Sequence, residues 1–287
     1  YSLGTNVKEY QAEQLSDVEP FRLDQLDGYS VNQEIFADII AGKNKEEIYQ
    51  NLKFKQLLEV GEPGKFSFDD RYHEIAEFIH DCNLAQRLAA CQNKRFITAC
   101  GNVNITGRLQ YLNRLGNSAE FYRVRFAKIN GKDMISAWLY HLAATLFFPD
   151  SDIMTMVFTK DKQEAFKVIT SDEAAAYLDE LLEIYRDGLI RPLPFFCKTS
   201  YIYAVTGHRR SNEQPLEQIK LTEARKKFMP GDYNFNAEGG NNAVKLCFPE
   251  SSILETREFR ELALKIFNFC AIKETVQRPL IEEIPSI

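Results

Sequence analysis

The spacing of apolar residues changes period near Arg95, which divides the chain into a helical part and a part built on strands. Before that point, Val31, Ile35, Phe36, Ile39 and Ile40 share one helical face behind Ser30 and Gln33, a capping-box pair, and Gly42 is placed to stop the helix. Asn44 and Glu47 repeat the device for a second helix running toward Leu58, where the Gly-Glu-Pro-Gly of 61–64 reads as a breaker. Tyr72, Ile75, Ala76, Ile79, Cys82 and Leu88 predict a third helix over 69–91.

After Arg95, residues 96–100 and 103–106 read as strands joined by a Gly101-Asn102 turn, and 110–112 and 121–126 as strands around Gly116-Asn117. Residues 132–147 follow as a helix with Ile135, Trp138, Leu139 and Leu142 inward, then 153–159 as a strand. Ser171 is the expected N-cap of a helix ending at Gly188, closed off by Pro192 and Pro194. Beyond lie a strand candidate at 201–203, a polar loop at 208–215, a basic helix at 223–228, a Gly- and Asn-rich stretch at 231–242 and a last helix over 255–271. The expected division is a helical lead-in, 1–94, and an α/β core, 95–287.

With 45% apolar and 12% aromatic residues among 287, the chain can fill a substantial core. A net charge of −6 and a pI near 5.5 exclude a histone-like binder but say nothing of local patches. No apolar stretch approaches the roughly 20 residues that span a bilayer, so a cytoplasmic protein without membrane contact is expected. Cys82, Cys91, Cys100, Cys197, Cys247 and Cys270 show no zinc spacing and read as small buried hydrophobes in a reducing compartment. The polar start without Met predicts a fragment of a longer chain. No P-loop, dinucleotide fingerprint or serine elbow occurs, and no cofactor is expected.

Charge is concentrated in 107–132, where Arg108, Arg114, Arg123, Arg125, Lys128 and Lys132 face only Glu120. That stretch carries +5, leaving −11 for the rest of the chain. Strand alternation puts Arg123 and Arg125 on one face, beside solvent or a groove, where two guanidiniums suit phosphate oxygens. The alternatives are a solvated strand face or ion pairs with the acidic first third. Arg225, Lys226 and Lys227, with His208-Arg209-Arg210 and Lys198, form a second basic set, read as a solvated helix or a phosphate-attracting surface. Phe195 and Phe196 read as core or interface anchors. His73, Glu77 and His80 share a helical stripe but lack the His-Glu-x-x-His arrangement of a zinc site, so a solvent-facing or capping role is expected.

Residues 104–125 resemble the metal-binding hairpin of restriction-endonuclease-like nucleases, in which an acidic residue follows a Gly and an Asp-x-Lys lies on the next strand. Here Gln110, Arg123 and Arg125 stand at those places. Mg²⁺ takes hard oxygen ligands, and an arginine at 4 Å would oppose it by about 4 kcal/mol per unit charge at an effective dielectric of 20. The resemblance therefore implies a PD-(D/E)xK-type α/β core whose catalytic residues are lost. Active metal-dependent cleavage would need displaced carboxylates, of which Asp133, Asp150, Asp152 and Asp161 are the candidates.

A wider resemblance rests on segments spread over most of the chain: 17–26 with Tyr29, Asn32 and Gln33; Cys100 to Leu109 containing Ile105-Thr106-Gly107; Leu139-Tyr140-His141-Leu142; Tyr177-Leu178 with Leu181; Tyr185-Arg186-Asp187-Gly188 leading to Pro192-Leu193; and Ala224-Arg225-Lys226-Lys227-Phe228. In order and spacing these resemble the C-terminal domain family of the exodeoxyribonuclease V gamma subunit, the RecC component of the RecBCD helicase-nuclease. The resemblance implies a noncatalytic domain in a three-subunit machine for DNA repair and recombination. Its expected partners are the alpha and beta subunits, RecD-like and RecB-like, with duplex and single-stranded DNA. The helicase-like N-terminal domains of that family, and an aromatic-rich helix expected before Tyr1, are not in this sequence. The phosphate-contact candidates are Arg108, Arg114, Arg123, Arg125 and Lys128; no residue is expected to be catalytic or to bind metal. A pure protein-interaction module is the third reading, expected if the basic hairpin is buried against the acidic first third.

Overall fold

The computed structural model describes residues 25–207, 215–231, 237–271 and 273–275. The chain forms two compact units, Tyr1–Ala89 and Ala90–Ile287. The described residues of the first hold four helices: α1 (Gln25–Ile40), α2 (Lys45–Phe54), α3 (Glu62–Asp81) and α4 (Leu84–Ala89). Val31, Ile35, Ile48, Leu52, Phe68 and Ile75 are among its most deeply buried apolar residues, at the helical spacing that their sequence positions require. The Asn44/Glu47 capping box forms in both directions.

Three boundaries in this unit differ from expectation. α1 is already helical at Gln25, so Ser30 lies within it; Arg71 donates to the Gly28 carbonyl and to Asn32 Oδ1 and ties down that turn. The 61–64 segment begins α3 rather than separating helices, because a proline in the first turn lacks an N–H that would go unused there. The helix expected over 69–91 is broken after Asp81, where Asn83 takes φ 50°, and the chain restarts as α4.

The second unit is a mixed α/β structure around a six-stranded sheet of order β1-β2-β3-β4-β5-β6: β1 (Gln92–Cys100), β2 (Val103–Leu115), β3 (Ser118–Arg125), β4 (Asp152–Thr159), β5 (Gln163–Phe166) and β6 (Lys273–Thr275). All neighbours are antiparallel except β3 and β4, which are parallel and joined through α5 (Gly131–Phe147). Gly101 and Gly116, at φ 53° and 63°, make the two hairpin turns. The expected strand at 110–112 is part of a continuous β2. Its Tyr111, at φ 57°, sits where one extra residue shifts the register against β1 from Gln92↔Leu112 to Lys94↔Leu109. Gly107 faces Phe96, whose ring lies 2.6 Å from where a Cβ would stand, so the ring fills the space over the bare backbone.

α6 (Ser171–Ile190), α7 (Cys197–Val205), α8 (Leu216–Phe228), α9 (Asn242–Cys247) and α10 (Arg257–Ile266) complete the unit. One core cluster centres on Trp138, which stacks on His141 and Phe269 and meets Phe166 and Tyr177 edge-on. A second joins Phe96, Leu109, Phe121 and Ile153; a third joins Phe196, Phe228, Leu254 and Phe259. The strand expected at 201–203 is helical instead, in α7. Tyr201 packs in the first cluster and Tyr203 in the third, so the helix bridges two cores, and three alternating residues could not reveal that.

Thr170, not Ser171, caps α6, and the helix runs past Gly188 to Ile190. Leu139 is 39% exposed rather than inward. The last helix stops at Ile266, followed by a 3-10 turn over Asn268–Ala271. Cys82 and Cys100 are buried as expected, but Cys247 is exposed. The 208–214 loop and 232–236 lie outside the described residues.

Candidate nucleic-acid interface

β3 and α5 build the centre of the candidate site. Alternation along β3 puts Phe121, Arg123 and Arg125 on one face, as the sequence predicts, but that face is covered by α5 rather than open to a groove. Asn130 caps α5 by accepting from the Asp133 amide, which fixes Asp133 in the first turn; its carboxylate then pairs with Arg125. One turn on, Ser136 Oγ accepts from Arg123 at 3.1 Å. A further turn on, the Tyr140 ring lies under the Arg123 guanidinium at 4.8 Å and packs against Phe121. Asp133, Ser136 and Tyr140, spaced three and four apart on the helix, thus meet alternate residues of the strand running beside it. Burial pulls the Arg123 pKa down, with Tyr140 and Asp133 opposing.

The other candidates lie elsewhere. Arg108 is exposed on β2, directly opposite Arg95 of β1. Gln110 is exposed beside the Tyr111 bulge. Arg114 lies over the Phe148 ring at 5.0 Å, and with Lys94, Gln92 and Asn113 it lines a cleft of ≈ 360 Å³. Lys128 is exposed on the turn after β3, which is pinned by the Ile129 amide donating to Asp161 and by Lys160 N donating to Ala127 O. The five cations therefore occupy separate places: Arg123 and Arg125 against α5, Arg108 on the hairpin, Arg114 at the cleft, Lys128 on the turn.

The carboxylates considered for metal binding are also dispersed. Asp133 is held by Arg125, and Asp161 accepts from Ile129 N and Thr159 Oγ1. Asp150 and Asp152 line a different cleft of ≈ 520 Å³ with Asp172 and Glu173. His73 lies 3.1 Å from Glu77, and His80 beside Asp81. Among the described residues, no three His, Cys, Asp or Glu side chains come together as a metal set. Burial raises the Cys91, Cys100 and Cys197 thiols to about 11, away from the thiolate that reactivity needs.

The second basic set is engaged within the unit: Arg225 pairs with Glu255 and Lys226 with Glu223, while Phe228 packs on the buried Phe196. At α7, the Glu238 carboxylate accepts from the Lys198 and Thr199 amides and from the Thr199 hydroxyl, filling that helix N-terminus. His208-Arg209-Arg210 lies outside the described residues.

Arg95 was not among the sequence candidates because it precedes the basic stretch. The signal that finds it is the Gly101-Asn102 turn: a two-residue turn pairing Cys100 with Val103 fixes Arg95 opposite Arg108.

Among the described residues, no helix is long and apolar enough to cross a membrane. A family model described as the RecC C-terminal domain matches residues 1–208. The RecBCD enzyme subunit RecC of Escherichia coli strain K12 is 25% identical over 268 residues, covering 89% of this chain and 23% of that protein. The RecBCD enzyme subunit RecC of Buchnera aphidicola is 24% identical over 193 residues, with 67% of this chain and 18% of that protein covered. That of Mycolicibacterium smegmatis is 23% identical over 210 residues, with 69% and 18% covered. The chain thus spans less than a quarter of the length of these relatives. With a family match running over well more than half of its residues, on a mixed α/β unit whose Arg123 and Arg125 are drawn onto α5, the chain belongs to the RecC C-terminal domain family.

Proposed function

We infer that this chain is a noncatalytic domain of a subunit in a RecBCD-type helicase-nuclease, acting beside DNA as a scaffold and as a docking surface for RecB-like and RecD-like partners. The observation that carries the reading is the engagement of Arg123 and Arg125 by Asp133, Ser136 and Tyr140. A metal-dependent nuclease needs carboxylate oxygens there; two guanidiniums anchored to the neighbouring helix exclude a divalent cation and stabilise the strand-helix contact instead. The order hairpin, β3, α5, β4, with β3 and β4 parallel, is compatible with a restriction-endonuclease-like core adapted to this use. Arg108, Arg114 and Lys128 remain outward and are the phosphate contacts of this reading.

The test is incubation of the protein with labelled single-stranded and forked duplex DNA, with Mg²⁺ or with chelator, across a salt series. The expected outcome is no cleavage in either condition and binding that weakens steeply with salt. Metal-dependent cleavage abolished by Asp133→Asn would overturn the noncatalytic reading. Absence of both cleavage and binding would move the function to partner docking alone.

A further inference from the structure

We propose that the outer face of the β1–β2 hairpin binds the phosphodiester backbone of a nucleic-acid strand through Arg95 and Arg108 acting as a cross-strand clamp. This rests on the DNA-facing reading above and adds a site and a residue to it.

Alternation divides the hairpin cleanly. Phe96, Thr98 and Cys100, with their partners Gly107, Ile105 and Val103, are buried or half-buried. Arg95, Ile97 and Ala99, opposite Arg108, Thr106 and Asn104, are exposed without exception, Ile97 at 71%. β1 is the edge strand of the sheet.

On that face, two arginines stand directly opposite each other. Side chains so placed are about 5 Å apart at Cβ, and like charges there oppose strand pairing. Several other arginines of this acidic chain pair with carboxylates: Arg125 with Asp133, Arg191 with Asp187 and Glu258, Arg225 with Glu255, Arg257 with Glu261. No carboxylate among the described residues pairs with Arg95 or Arg108. A repulsive pair without a counter-charge is relieved by an external anion. Adjacent guanidiniums in one row match a polymer presenting a phosphate at every nucleotide, each able to give two parallel N–H donors to its oxygens. Thr106 and Asn104 extend the row with neutral donors of the kind that position a backbone without reading its sequence. The face is an open strand surface, which suits an extended chain.

The test compares the assembled complex carrying Arg95→Gln/Arg108→Gln with the unaltered complex, measuring affinity for single-stranded and forked DNA over a salt series. Loss of two phosphate contacts is expected to lower affinity about tenfold at low salt and to make the slope of log K against log salt shallower by roughly 1.4 to 1.8. The Arg95→Lys/Arg108→Lys form is expected to keep most of that slope. Without DNA, the neutralised variant is expected to melt no lower than the unaltered protein, since a repulsion has been removed; this shows that lost binding is not lost folding. Unchanged affinity and slope overturn the clamp. Loss of a partner subunit from the complex, with DNA affinity per assembled complex unchanged, overturns it in favour of an acidic protein surface. Zero-length cross-linking of the unaltered complex to DNA separates the two levels. Cross-links in this domain, away from the hairpin, with an unchanged slope overturn the clamp alone. No cross-link anywhere in the domain overturns the DNA-facing reading and the clamp with it.

Discussion

At the scale of single residues, Arg125 and Asp133 make the most informative pair, because each is only partly exposed and each is costly to leave alone. Arg125→Ala removes the partner of a carboxylate whose side chain is 17% exposed, and is expected to lower stability by about 1–3 kcal/mol, below the cost in a dry interior because solvent still reaches the pair. Arg125→Ala combined with Asp133→Ala should lose less than the sum of the single variants, and denaturant midpoints of the four proteins measure the difference. Strict additivity would refute the pairing. That these arginines share a face was legible from alternation alone. That the face points at a helix was not, because period-2 spacing separates two faces without saying which of them is covered.

At the scale of elements, His141 ties α5 to β4. Its Nδ1 lies 2.9 Å from Thr155 Oγ1, and the ring stacks on Trp138 with no exposed surface. Burial lowers its pKa from 6.5 to about 4, with the Lys167 backbone opposing. A histidine depressed in the folded state favours folding while neutral, so its contribution is full above pH 6.5 and is lost as pH falls toward 4. The loss amounts to roughly 3 kcal/mol over that window. A melting-temperature profile between pH 7 and 4 should therefore fall more steeply for the unaltered protein than for His141→Gln. Parallel profiles would show that His141 does not titrate with folding. The helix itself was readable from its apolar spacing. α7 was not, because its two tyrosines serve two different cores and so mimic a strand. Nor was the single long β2, whose Tyr111 bulge breaks the alternation midway.

At the scale of the whole molecule, the chain divides into two compact units, Tyr1–Ala89 and Ala90–Ile287. The sheet order was not legible, since β6 pairs with β5 across more than a hundred residues and no local signal carries such a contact. Glu238 completes the start of α7 from 40 residues downstream of Lys198, so a protein emerging from the ribosome cannot finish that helix when its own residues appear. At about 5–20 residues per second the missing carboxylate arrives roughly 2 to 8 s later. In a chain stalled with residue 230 just outside the exit tunnel, the Thr199 amide should exchange with solvent far faster than in the released protein; equal protection would mean that α7 closes without it. Synthesis itself thus sets a clock on this part of the fold, and until the clock runs out the segment is open to whatever else in the cell can offer an anion.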